Sequence, residues 1–322
     1  MKKILAAFFV LFTIASAGFA ESYPTRAVTI VVPAGAGGGA DLAARLLADG
    51  LTKELGQPFQ VVNKPGGGTI VGASSVVKES KPDGYTLLLE VHSSSSMLVG
   101  GMVNPPINLE DRTWISLVFM NPIAFAVTAD APWKTFQEFG KWVKAHPTEL
   151  TWSSIGPSGL SAFSIQDWLA VIDADGTKTR LVPTKGAADS LVKLAGGHVV
   201  LASHTAGELY ALHQAGKIRV LAVSADERVG YLPDVPTAKE EGIEGLTVKW
   251  WAGLTGPAGM SGEIVTKIDA TIQKLIQDTS FQKKSNSIHS TIHYMGPKKF
   301  KDFVYAEGEY YKELAGKIGV RK

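Results

Sequence analysis

Cysteine is absent from all 322 residues. The fold therefore owes nothing to disulfides, and neither a thiol nucleophile nor a thiolate metal site is available. A charge excess is missing too. Without Lys2 and Lys3, which lie in a removable leader, 30 basic residues face 30 acidic ones. That balance argues against a nucleic-acid partner and against broad electrostatic attachment to a membrane surface. Beyond residue 20 no stretch of eighteen apolar residues occurs, so no spanning helix is expected. Low-complexity tracts and short-period repeats are lacking, as are the G-x-S-x-G and H-E-x-x-H patterns of hydrolases and metalloproteases. Ser75-Val76-Val77-Lys78 fits S-x-x-K, but the partner motifs of that chemistry are missing. No enzyme activity, cofactor or metal is expected.

What is present begins with an export signal. Lys2 and Lys3 precede an apolar run from Ile4 to Ile14, and small residues follow at Ala15-Ser16-Ala17 and Gly18-Phe19-Ala20. The pattern predicts a signal peptide over 1–20, cleaved after Ala20 with Ala17 as the alternative, and a periplasmic location; its apolar core is too short to serve as an anchor helix.

The most informative stretch runs from Val28 to Asp41. The β-branched run Val28–Val32 predicts a buried strand. Pro33 ends it, and a loop with Gly35, Gly37, Gly38 and Gly39 leads into an apolar-periodic helix over 40–55. Such a helix start exposes unpaired amides at a positive dipole end, where small anions bind. The same glycines fit the dinucleotide pattern, but the second strand ends at Asn63 where that motif needs an acid, which argues against an oxidoreductase.

Further strands are expected at 59–63, 85–91 and 114–119, separated by a helix over 70–78. A second segment repeats the plan. Strands are expected at 123–128, 150–153, 180–182, 198–202 and 220–223, and helices over 135–146, 161–172, 187–195 and 207–215. A strand over 246–253 returns to the first sheet, and helices over 263–278 and 297–316 finish the chain. The spacing predicts an α/β fold of two lobes, 21–122 plus 246–322 and 123–245. Each is a mixed, mostly parallel sheet flanked by helices, with a ligand cleft between them.

The ordered motifs resemble the substrate-binding proteins of the tripartite tricarboxylate transporters, the Bug family. They include Gly38-Gly39-Ala40-Asp41, Val61-Val62-Asn63-Lys64-Pro65-Gly66, Lys81-Pro82-Asp83-Gly84-Tyr85, Lys185-Gly186, Ala195-Gly196-Gly197-His198 and Leu232-Pro233-Asp234-Val235-Pro236. The resemblance covers nearly all of the mature chain. It implies a Venus-flytrap periplasmic binding protein that captures a di-, tri- or aromatic carboxylate and hands it to membrane permease subunits. No cofactor, nucleic acid or second copy is implied. A sensor or adaptor of the same fold, feeding a signalling partner, stands as the alternative.

On that basis the ligand residues are expected in five places. Loop Ala34, Gly35, Ala36, Gly37, Gly38, Gly39, Ala40 and Asp41 forms an anion nest, with Asp41 capping the helix. The resemblance implies Thr or Ser at position 40, so Ala40 removes one hydroxyl. The opposing loop contributes Ser153, Ser154, Gly156, Ser158, Gly159 and Ser161, with Pro157 stiffening it. His92, Ser93 and Ser94 follow a strand's carboxyl end, where open α/β sheets place ligands. Lys185 and Gly186 match a cleft loop, with Lys185 facing either the ligand or solvent. His204 and Thr205 stand where the family more often has Asp-Asn. Trp250 and Trp251 are expected in the core.

Overall fold

The computed structural model describes residues 23–317 and 319, except 158 and 247. The predicted leader and Ser158 lie outside that set. Among the described residues no helix is long and apolar enough to cross a membrane.

The first lobe is built on a six-stranded sheet. Its strands are β1 (Val28–Val32), β2 (Phe59–Asn63), β3 (Thr86–Val91), β4 (Arg112–Asn121), β10 (Trp250–Pro257) and β11 (Ile292–Met295), in the order β11-β4-β10-β3-β1-β2. β1 lies between β3 and β2 and is buried on both faces, as its β-branched run requires. Helix α1 (Gly39–Leu55) lays Ala43, Ala44, Leu47 and Leu51 on the core, and Gly56 in the left-handed region ends it. Burial of Leu47 and Leu51 contributes roughly 1.5–3 kcal/mol each. Helices α8 (Gly262–Gln277) and α10 (Pro297–Lys317) complete the cover.

The second lobe holds a three-stranded sheet, with β5 (Ile123–Thr128) between β8 (Ala202–Thr205) and β9 (Ile218–Ser224). A parallel pair, β6 (Thr151–Ser154) and β7 (Arg180–Pro183), joins it through the bridge Trp152 to Leu201. Its core is aromatic. Trp168 of α5 (Leu160–Val171) stacks on Phe136 and Phe139 of α4 (Phe136–Ala145), at centroid distances of 4.9 and 5.4 Å.

The sheets are mixed, as expected, but antiparallel strand pairs outnumber parallel ones among the described residues. In the first lobe only β2-β1-β3 is parallel; β10 and β11 pair antiparallel with their neighbours, and so do β8 and β9 with β5. Position 198–202 is not the strand: the ladder with β5 starts at Ala202 and runs through Ser203 and His204 to Thr205. Apolar Val199 and Val200 drew the expectation, but pairing partners decide a strand. The returning strand starts at Trp250, later than expected. Helix α9 (Thr279–Ser287) comes from a segment too polar for a periodic signal, and helix α3 (Ser96–Gly101) and strand β11 from segments too short for one.

Topology brings the candidate loops together. Parallel β1, β2 and β3 end at one sheet edge; antiparallel β10 starts there, and β4 ends there, since Trp250 pairs with Asn121 and Ala252 with Val91. The chain crosses to the second lobe through Pro122 at this edge. Across the crossing, β8 and β9 end beside the start of β5, where Thr205 and Ser224 both pair with Ile123. The carboxyl ends of strands from both lobes therefore gather at the crossing.

Candidate binding cleft

In the first lobe three loops leave that edge. The loop after β1 is open: Gly35, Ala36 and Gly37 are exposed, and a Cβ at Gly35 or Gly38 meets nothing within 4 Å. Asp41 does not cap α1. From the first turn it reaches back to accept from the Gly37 amide at 2.9 Å, and it pairs with Arg45 at 3.0 Å. Burial opposes its charge, but Arg45 and that amide outweigh burial and hold the carboxyl below the usual range. The Gly39 amide donates to Glu208 Oε1 of the second lobe, at 3.3 Å. The amides of Ala36, Gly38 and Ala40 have no acceptor among the described residues. Asn63 donates to the Ala34 carbonyl and ties the first two loops together.

The loop after β2 holds Thr69 in the left-handed region, at φ 87°. Only the surrounding structure can keep a β-branched residue there. Its hydroxyl is buried without a hydrogen-bond partner. The loop after β3 is buried from His92 to Ser96. Its hydroxyls go to nearby carbonyls and carboxylates: Ser94 and Ser95 donate to Val91, and Ser94 also to Glu90. Ser93 shares its hydroxyl with His92 Nδ1 at 2.8 Å, leaving Nε2 unpartnered. Burial pushes the His92 imidazole down to about 3, so it is neutral.

In the second lobe the predicted hydroxyls point inward. Ser153 bonds Ser190, Ser154 donates to the Gly156 carbonyl, and Ser161 donates to the Ser203 carbonyl. All three are at most 4% exposed. Gly159 is the N-cap of α5 and donates to Gly156. Lys185 is exposed, with its amide on Asp189, and Gly186 caps α6 (Ala187–Ala195). Beside them Thr184 carries a buried, unpartnered hydroxyl. Trp250 and Trp251 are core residues.

His204, Thr205, Ser153 and Ser190 do come together. His204 Nε2 meets the Ser190 hydroxyl at 2.7 Å, and Ser190 meets Ser153 at 2.5 Å. Thr205 caps α7 (Ala206–Gln214) in a capping box with Glu208, which accepts from the Thr205 amide and hydroxyl. Ser190, His204 and Glu208 are the residue types of a hydrolase triad, but the geometry is not one. Ser190 is fully buried, and His204 Nδ1 lies 3.9 Å from Glu208, beyond hydrogen-bond reach.

Thr69, Thr184 and Glu208 carried no motif of their own. A threonine just before a helix and after Gly66-Gly67-Gly68 is the only available signal for Thr69, and the capping pattern Thr205-x-x-Glu208 for Glu208.

Residues 43–320 match the family described as the tripartite tricarboxylate transporter family receptor. The chain is 30% identical over 304 residues to a UPF0065 protein from the gbd 5' region of Cupriavidus necator, covering 94% of this chain and 90% of that one. It superposes on the periplasmic binding protein BugD with a TM-score of 0.83 at 27% identity, covering 93% of this chain and all of the other. MatC of Rhodopseudomonas palustris with bound malate gives 0.82 at 26%, covering 91% of this chain and 100% of MatC.

Proposed function

The chain belongs to the tripartite tricarboxylate transporter receptor family, and from that premise we propose that it captures a small organic carboxylate between its two lobes in the periplasm and delivers it to a membrane permease. The lobes are 21–122 plus 246–322 and 123–245, and the crossing beside Pro122 is the hinge. One observation carries the reading. Among the described residues the amides of Ala36, Gly38 and Ala40 lack acceptors at the start of α1, beside the exposed residues 35–37 at the carboxyl end of β1. Amides aligned at a helix start are donors suited to a carboxylate. The unpartnered Thr69 hydroxyl, His92 Nε2 and Thr184 hydroxyl sit on loops at the same crossing and supply polar contacts for the rest of the ligand. Malate bound to MatC supports a carboxylate as the ligand class.

Gly38→Val tests the site. Gly38 has φ −86° and ψ 172°, which valine adopts freely, and a Cβ there meets nothing within 4 Å. The melting temperature should stay within about 2 °C. Affinity for the best carboxylate found by a thermal-shift screen should fall about a hundredfold, which corresponds to roughly 2.7 kcal/mol. Unchanged affinity would remove this loop from the site.

A further inference from the structure

The α1 helix start already holds a carboxylate, and it belongs to the opposite lobe. Glu208 Oε1 accepts from Gly39, the first amide of α1, at 3.3 Å. Its other oxygen, Oε2, accepts from the Thr205 amide and hydroxyl at 3.2 and 3.0 Å. Both oxygens are thus committed, and the side chain is only 19% exposed. The contact sits beside the crossing: the next-door Ala206 amide donates to the Pro122 carbonyl, and Gly207 approaches His289 so closely that a Cβ there would lie 2.6 Å from the His289 Cβ. Relative movement of two lobes is smallest near their hinge, so Glu208 stays at the cleft floor. Gly39 makes room for it, since even a methyl at that position would lie 3.4 Å from Oε1.

The charges around this floor are unequal. Asp41 is a second carboxylate on the same loop, holding the Gly37 amide, and Arg45 neutralises only that one. His204 faces Glu208 at 3.9 Å, but burial disfavours its cationic form, so it does not offset the acid. Among the described residues the amides of Ala36, Gly38, Ala40 and Asp41 have no acceptor, and they can hold a carboxylate without Gly39. A second anionic group directed at Gly39 would meet Glu208 in a partly dehydrated place, where like charges repel strongly.

We infer that Glu208 is a specificity-determining residue: its carboxylate claims the Gly39 amide, so the cleft prefers ligands that present a hydrogen-bond donor beside the bound carboxylate, a hydroxyl or an ammonium, over ligands that present another carboxylate there. The inference rests on the carboxylate-binding reading above and names the class of ligand within it.

The test uses the full mature chain and one carbon skeleton. Malate, aspartate and ethane-1,1,2-tricarboxylate are succinate with a hydroxyl, an ammonium or a carboxylate on the same carbon. In titration calorimetry the wild type should bind the better of malate and aspartate at least tenfold more tightly than the tricarboxylate. In Glu208→Gln, which keeps the shape and removes the charge, that ratio should shrink to threefold or less. A ratio equal in both proteins overturns the inference while leaving carboxylate binding intact. A ligand-independent arm follows the Gly39 amide proton in selectively labelled, ligand-free protein. A charge-assisted bond deshields it, so the resonance should move upfield in Glu208→Gln; an unmoved resonance overturns the contact. Absence of binding to all three ligands in both proteins counts against the carboxylate reading itself, and the Gly39 resonance then decides the role of Glu208 alone.

Discussion

The two banks of the proposed cleft are made of opposite materials. On the first-lobe bank the loop after β1 is glycine-rich, exposed and short of acceptors, and buried polar atoms at Thr69 and His92 lack partners. On the second-lobe bank Ser153, Ser154, Ser161 and Ser190 are buried, and their hydroxyls are spent on one another or on nearby carbonyls. The reason is chemical. Glycine has no side chain to satisfy its neighbours, so a glycine loop leaves its amides available. Serine competes for local backbone groups and satisfies them. The first bank presents most of the free donors; the second, apart from the unpartnered Thr184 hydroxyl, holds its shape.

If that contrast is right, the open bank needs rigid support from beneath. The largest expected effect is there. Arg112 and Glu90 form an ion pair with both side chains fully buried, at 2.6 Å. Arg112 also donates to the carbonyls of Ser94 and Asn108, and Glu90 accepts from Ser94 and Thr255. The pair therefore pins the His92–Ser95 turn. Arg112→Met leaves Glu90 buried and uncompensated, and should cost about 3–5 kcal/mol in urea denaturation. Adding Glu90→Gln should recover much of that loss; a loss below about 1 kcal/mol in the single variant would mean that the turn is held by other means.

A second support titrates. Glu307 of α10 accepts from Ser96 and Trp251, at 2.5 and 2.7 Å, and from Tyr311 at 3.2 Å. Burial pushes its carboxyl up to about 7 from 4.5, against the opposing pull of those hydrogen bonds. The folded state thus keeps a proton that the unfolded chain releases. Its stabilising contribution is full below pH 4.5 and is lost as pH rises towards 7, a gap worth about 3 kcal/mol. Denaturation midpoints measured across that window should fall with pH in the wild type and change less in Glu307→Gln. Parallel curves would mean that Glu307 is ionised throughout.

Much of the first bank was legible in the residues. The Val28–Val32 run, Pro33 and the four glycines specify strand, stop and open loop by local rules, and those elements stand where expected. The second bank was half legible. Ser153 and Ser161 do lie on the elements expected to carry them, but which way a hydroxyl turns depends on Ser190 and Ser203, 37 and 42 residues away. Local spacing holds no record of such partners. Glu208 was hidden for the same reason: Thr205-x-x-Glu208 reads as an ordinary capping box, and only the other lobe's Gly39 gives the acid a second task. His198–Ala202 misled because apolar residues suggested a strand whose hydrogen bonds go to Thr151 instead.

The smallest effect is the sharpest test of the contrast. Ser190 sits between Ser153 and His204, accepting or donating to each within 2.7 Å, and none of the three is more than 7% exposed. If the second bank is a frame, Ser190→Ala should cost about 1–2 kcal/mol of stability, because two buried polar groups lose a partner. Affinity for the same carboxylate should change less than threefold, because no ligand contact is removed. A tenfold loss of affinity at unchanged melting temperature would reverse the assignment: the serines would then be turning to the ligand when it enters, and the second bank would be a donor surface that closes on itself only in the empty cleft.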